Sequence, residues 1–219
     1  MSSLVSRRPA VRAICFLAAA VLVAGCFTGE RPHFREGQEF APGSLTGDAA
    51  IDAVLAKFDA VTTGPIAVAY NTLTKYGNVS RVANVQINGT DRSVAIGNVH
   101  YIHTDVVDVT CTTDGSQPCV TGWDPARVSD TLLTADFYAA EPARRLRRDA
   151  AAALGPATGS VETIAQNQAT CATLQLPGGV AKYCVLDSGM LALLDDGDVR
   201  VELGLVVAMI DPAQFVPPA

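Results

Sequence analysis

Four cysteines carry the clearest chemistry in the chain: Cys111, Cys119, Cys171 and Cys184. Four thiols allow three pairings. Turn signals favour one of them. Asp114-Gly115 lies inside the first pair and Pro177-Gly178-Gly179 inside the second, and such residues reverse a chain. A hairpin centred at 177/178 sets 171 opposite 184, and a loop centred at 115 sets 111 opposite 119. The expected disulfides are therefore Cys111–Cys119 and Cys171–Cys184. Closing loops this short contributes roughly 2.5–3 kcal/mol each in the chain-entropy picture. A zinc site built on the four thiols is the competing chemistry, but intervals of seven and twelve residues do not match the short spacings of zinc knuckles.

The other reactive residues form weaker patterns. His100 and His103, three apart on a strand, point to opposite faces and do not converge on one metal. Asp195-Asp196-Gly197-Asp198 gathers three acids, without the alternating ligands and distant glutamate of a calcium loop. It reads as a hairpin turn with solvated charges. Arg144, Arg145, Arg147 and Arg148 crowd one stretch of an acidic chain. They suit contact with anionic lipid headgroups, worth about 1 kcal/mol per charge near a membrane, or a solvated helix face opposite an apolar stripe. No serine occupies a nucleophile elbow. Ser188 lies in the turn signature Asp187-Ser188-Gly189, and no phosphate-binding loop is present. Trp123, just after the first cysteine loop, is expected to pack against it. The expectation is a non-enzyme with no catalytic residue, metal or cofactor.

The elements that would position these residues begin after an N-terminal address. Residues 1–25 hold Arg7, Arg8 and Arg12, then an uncharged run of twelve residues from Ala13 to Ala24. That run is too short to span a bilayer, which needs roughly 20 residues, and fits a secretory signal with an oxidising destination. Residues 26–46 mix Gly, Pro and charge without period, and include His33. They read as a flexible tether with an r.m.s. span of roughly 25 Å. Residues 47–219 form one domain. The whole chain has net charge −6. Without the three signal arginines, 13 basic residues stand against 22 acidic ones, a net of −9, which argues against nucleic acid as a partner.

Within the domain, Asp48 caps a helix whose apolar face is Ile51, Val54, Leu55, Phe58 and Val61, stopped by Gly64-Pro65. A meander of alternating strands comes next, with turns at Tyr76-Gly77-Asn78, Asn88-Gly89 and Gly97-Asn98 and a last strand from Val99 to Val109. The period then changes. A short helical stretch opens at Asp124-Pro125, and Leu132, Leu133, Phe137 and Tyr138 suggest another. Glu141-Pro142 begins a clearer helix with apolar Ala143, Leu146, Ala150, Ala153 and Leu154, ended by Gly155-Pro156. Strands return at 160–166, 169–176, 181–187, 189–194 and 199–210. In the last, Val199, Val201, Leu203, Leu205 and Val207 alternate with Arg200 and Glu202. Beyond Gly204 both faces turn apolar, so the second face needs a cover: helix, ligand or partner.

Val23-Ala24-Gly25-Cys26 resembles the lipobox of bacterial lipoproteins. The resemblance implies that Cys26 receives a thioether-linked diacylglyceryl group and becomes the new N-terminus, anchoring the chain at the extracytoplasmic face of the cell membrane. The order helix, meander, helical excursion, second meander is similar to the LolA-type half-barrel, and with the export signal to the LppX/LprG-type lipoproteins. The residues carrying this are the 48–61 helix, Thr110-Cys111 with Cys119, Ala169-Thr170-Cys171, Lys182-Tyr183-Cys184-Val185-Leu186-Asp187-Ser188-Gly189, and the closing Asp211-Pro212 and Phe215-Val216-Pro217-Pro218. The resemblance implies an α+β fold, a curved antiparallel sheet packed on a few helices. It also implies binding or carriage of a lipid, glycolipid or other apolar ligand. The alternative is a non-catalytic envelope scaffold that meets a protein partner and holds no ligand.

Overall fold

Asp48 starts the ordered architecture. One carboxylate oxygen accepts from the N–H groups of Ala50 and Ile51 and opens helix α1 (Ala49–Phe58). The other accepts from the Ala157 N–H at 2.7 Å. One acid thus satisfies two orphan donors of the helix and pins it to a segment a hundred residues later in the chain. The computed structural model describes residues 40–60, 62–128 and 133–218. The signal segment, Cys26, His33, Val61 and Leu132 lie outside them.

Among the described residues eleven strands form two meanders. The first is β1 (Ile66–Thr74), β2 (Val79–Asn88), β3 (Asp91–Ile96), β4 (Val99–His103), β5 (Asp108–Thr112) and β6 (Val120–Thr121). The second is β7 (Thr158–Ile164), β8 (Asn167–Leu176), β9 (Gly179–Leu186), β10 (Leu191–Asp195) and β11 (Val199–Val207). They join in one curved, open antiparallel sheet of order β6-β5-β4-β3-β2-β1-β11-β10-β9-β8-β7. The first strand of one meander pairs with the last of the other, so β6 and β7 lie at opposite edges. The chain between them carries helices α2 (Pro125–Val128) and α3 (Ala140–Ala152). α1 packs on α3 and on β7, β8 and β9, and α3 packs on β8. This is the α+β class, an antiparallel half-barrel on a few helices, that the LolA-type resemblance implies.

Local chemistry sets the boundaries. The Asn88-Gly89 signal gives a two-residue loop, Gly89-Thr90, with Gly89 at φ +63°. The expected strand from Val99 to Val109 is two strands, because Thr104 accepts from the N–H groups of Val106 and Val107 and turns the chain. The expected helix around Leu133, Phe137 and Tyr138 is instead a run of turns over residues 135–139. Its side chains are still buried, so the apolar spacing reported burial rather than helix. Leu154, expected on the apolar face of α3, is 69% exposed, because the helix ends at Ala152 and Ala153 is extended.

The last strand departs furthest from its pattern. Val199, Val201 and Leu203 are buried, as their alternation requires. Tyr70 then pairs with Leu203 while Ala69 pairs with Leu205, so Gly204 is an extra residue, a β-bulge. A Cβ on Gly204 would lie 3.4 Å from the Ala69 carbonyl oxygen. The extra residue flips the rest of the strand. Val206 packs on the core, while Leu205 and Val207 turn to the opposite side. The strand ends at Val207, not at 210.

Candidate functional site

Two surfaces of the sheet compete for a functional role. The inner one, under α1 and α3, is where a half-barrel would hold a ligand. Phe58, Tyr70, Phe137, Leu146, Tyr183 and Met190 meet there, each at most 1% exposed. Tyr70 stands edge-on to Phe137 at 5.3 Å, and Phe137 to Tyr138 at 5.9 Å. Among the described residues these side chains pack in one core with almost no exposed surface, and a depression of about 680 Å³ lies at its margin, among Ala50, Ile51, Ala150, Ala153 and Ala157. The Tyr70 hydroxyl is buried with no hydrogen-bond partner there, and burial pushes its pKa well up.

Polar groups close the inner face at the end where the turn 195–198 meets α3. Asp196, expected to be solvated, is buried. It accepts from Arg145 at 2.6 Å and from the N–H groups of Asp198 and Val199. Burial pushes its carboxyl up, but those N–H groups and the guanidinium outweigh burial and hold it below the usual range. Tyr183 donates to Asp149 of α3 at 2.5 Å. Burial raises the Asp149 carboxyl despite that hydrogen bond. Asp195 and Asp196 of this turn are answered by Arg145, Lys75 and Arg200, a structural role.

The arginine run is also turned to structure. Arg147 is 3% exposed. It bonds Asp59 at 2.5 Å and the Ser44 carbonyl at 3.0 Å, clamping the start of the domain onto α1 and α3. Arg144 pairs with Asp136 and Glu141, and Arg145 with Asp196 and Glu141. A headgroup would have to displace these partners. Arg148, at 3.9 Å from Asp149, leaves most of its side chain in solvent. Arg144 and Arg148 stay on a solvated helix face, while Arg145 and Arg147 leave it, and local sequence could not show this, because the acids that claim the guanidinium groups lie up to 88 residues away.

The remaining candidate residues do not converge on a site. His100 is buried on the outer side, its Nε2 2.8 Å from Ser93 Oγ, and burial lowers its pKa against a hydrogen bond to the Gln214 backbone. His103 is on the inner side, 3.4 Å from Asp108. Trp123 packs edge-on against Tyr101 at 5.2 Å. Burial, with Asp108 beside it, pushes the Tyr101 hydroxyl up to about 12. The Ser188 hydroxyl is buried and among the described residues has no hydrogen-bond partner. The cysteines join as Cys111–Cys119 and Cys171–Cys184, the second directly across β8 and β9. Glu162 lies beside that disulfide, but its sulfurs are bonded to each other and offer no thiolate.

The outer side of the sheet is unevenly covered. Over β7, β9, β10 and β11 runs a ladder of ion pairs: Glu162–Lys182 and Arg200–Glu202, with Lys75 and Arg200 both on Asp195. Over β3 and β4 lies the C-terminal segment, a 3-10 turn at Pro212–Phe215 tied down by Asp211 N–H donating to Gln86. Between them, among the described residues, β1 and the stretches of β2 and β11 around Val82, Leu205 and Val207 are uncovered. Leu205 is 56% exposed, Val82 54% and Val207 39%. Ala67 and Ala69 share their side of β1. A depression of about 300 Å³ lies among Ala67, Ala69, Leu205 and Val207, edged by the neutral amides Asn84, Gln86 and Gln214. A second, of about 450 Å³, continues along Asn71, Leu73 and Val82 to Arg200 and Glu202. The sequence signal for this surface was the two-sided apolar run after Gly204, but which residues face out depended on the bulge.

No protein-family model matches the chain, and no curated protein matches it. Among solved structures it is similar to MucB in the MucA/MucB complex of Pseudomonas aeruginosa, at 11% identity and TM-score 0.34. That likeness covers 77% of this chain and 61% of that one. MucB in complex with MucA(peri) matches at 10% identity and TM-score 0.36, over 77% of this chain and 60% of that one. The chain thus spans about three-fifths of those chains. A likeness this slight carries no inference about what the chain binds. Among the described residues no helix is long and apolar enough to cross a membrane.

Proposed function

We propose that this chain is an exported envelope protein, tethered to the cell membrane through a lipidated Cys26, that works by binding another protein rather than by catalysis. The export and anchor rest on Arg7, Arg8, Arg12, the apolar run and the Val23–Cys26 lipobox. The single observation that carries the binding mode is the placement of apolar side chains. The inner face is packed, while Leu205, Val207 and Val82 stand on a bare outer face. Contiguous exposed apolar surface marks contact sites. Around Leu205 and Val207 its rim is of neutral amides, with the mutually paired Arg200 and Glu202 at the far end, which suits a partner that brings apolar side chains and backbone hydrogen-bonding groups. Lipid or glycolipid carriage, which the LppX/LprG-type resemblance implies, needs a dry cleft between sheet and helices, and the packing there leaves it second.

A photo-reactive residue at position 205, in the full chain in its own envelope, tests this. The expected result is one discrete protein adduct, absent when the same residue is placed at position 148. A lipid adduct at 205, or no adduct there, would overturn the reading.

A further inference from the structure

The two edges of the sheet differ sharply. At one, β6 is two residues long and offers almost no template. At the other, β7 runs for seven residues, Thr158 to Ile164, and among the described residues one side of its backbone is unpaired. Proteins usually blunt such edges with Pro, Lys, bulges or a covering element. β7 has neither Pro nor Lys, it pairs with β8 over its whole length without a bulge, and α1 packs against its face at Gly159. It carries one charge, Glu162, already neutralised by Lys182 at 2.7 Å, which with the Ser160 hydroxyl holds its carboxyl below the usual range. Val161, at the centre of the strand, is 68% exposed.

We propose that β7 pairs antiparallel with β7 of a second copy of this chain, about a two-fold axis at Val161. That axis sets the one acid of each strand opposite a serine of the other. Val161 meets Val161 of the other copy. Ser160 meets Glu162, Gly159 meets Thr163, and Thr158 meets Ile164. No like charges are opposed, which is the arrangement a cross-strand pair requires. Ser160 already donates to Glu162 within one strand at 2.9 Å, and the axis sets the same two groups across from each other. Glycine at 159 presents no side chain to Thr163. A symmetric pair of this kind is closed: it uses the long edge of each copy and leaves only the two short β6 edges. It leaves the outer face of β1 and β11 free, so it stands apart from the partner-binding reading.

Val161→Cys in the full chain, oxidised in its own membranes, tests the register. Opposed residues of an antiparallel pair have Cα atoms roughly 4.5–5.5 Å apart, within reach of a disulfide. The expected result is a band at twice the mass that disappears on reduction. Thr163→Cys is the control, because the two copies of that position are separated by about 14 Å in this register. It should give no such band. Both substituted residues are exposed, so folding is not at risk. No covalent dimer from Val161→Cys, equal dimer from both variants, or a Val161→Cys bond to a different protein would each overturn the proposal.

Discussion

The two sides of the β1–β11 pair are built by opposite rules. On the inner side Val68, Tyr70, Val201 and Leu203 are buried under the helices and the turns at Phe137 and Tyr138. On the outer side Ala67, Ala69, Leu205 and Val207 are apolar too, yet among the described residues nothing lies over them, although ion pairs shield the strands to one side and the C-terminal segment those to the other. Apolar residues on a strand therefore do not by themselves announce a core. A single inserted residue, Gly204, decides which of them become core and which become surface.

Changes to the inner face should cost most. Leu146→Ala empties a site of 0% exposure beneath α3, and the expected loss is about 3–5 kcal/mol, read by denaturant unfolding. A loss below about 1 kcal/mol would mean that the space is not close-packed. Asp48→Ala removes a helix cap and strands the Ala157 N–H, at an expected cost of about 2 kcal/mol at neutral pH. The Ala157, Ile51 and Ala50 N–H groups hold this carboxyl below its usual value of 3.8. Its contribution is present above that value and is lost as pH falls through the lowered one. The gap between wild type and variant should therefore narrow in acid.

Tyr70→Phe sharpens the comparison. It deletes a buried hydroxyl that has no partner among the described residues, so the expected outcome is a gain of up to about 1 kcal/mol in thermal or denaturant unfolding. Destabilisation would point to a polar occupant on the inner face. The smallest effect belongs outside. Leu205→Ser with Val207→Ser should change stability by less than about 1 kcal/mol, as surface substitutions do. If those residues instead belong to a folding core, the pair will cost as much as Leu146→Ala.

The fold was legible where local chemistry is decisive. Asp48 and the spacing of Ile51, Val54, Leu55 and Phe58 specify α1. The Pro177-Gly178 turn fixes the register that sets Cys171 against Cys184. What could not be read depended on distant partners. Arg147 resembles its exposed neighbour Arg148 in sequence, and only Asp59 and Ser44 draw it inside. Asp196 looks like any turn acid until Arg145 reaches it from α3. The bulge at Gly204 is set by how β11 meets β1, a contact across the whole chain that alternation within one strand does not encode.

The most direct test of the filled inner face is mass spectrometry of organic extracts. Residues 27–219, exported behind a cleavable signal so that both disulfides form, would be purified from the native envelope and then incubated with total envelope lipid. The packed face predicts no stoichiometric lipid before or after incubation. A lipid that survives washing at one per chain would contradict it, and would return the space beneath α1 and α3 to the role of a cargo site.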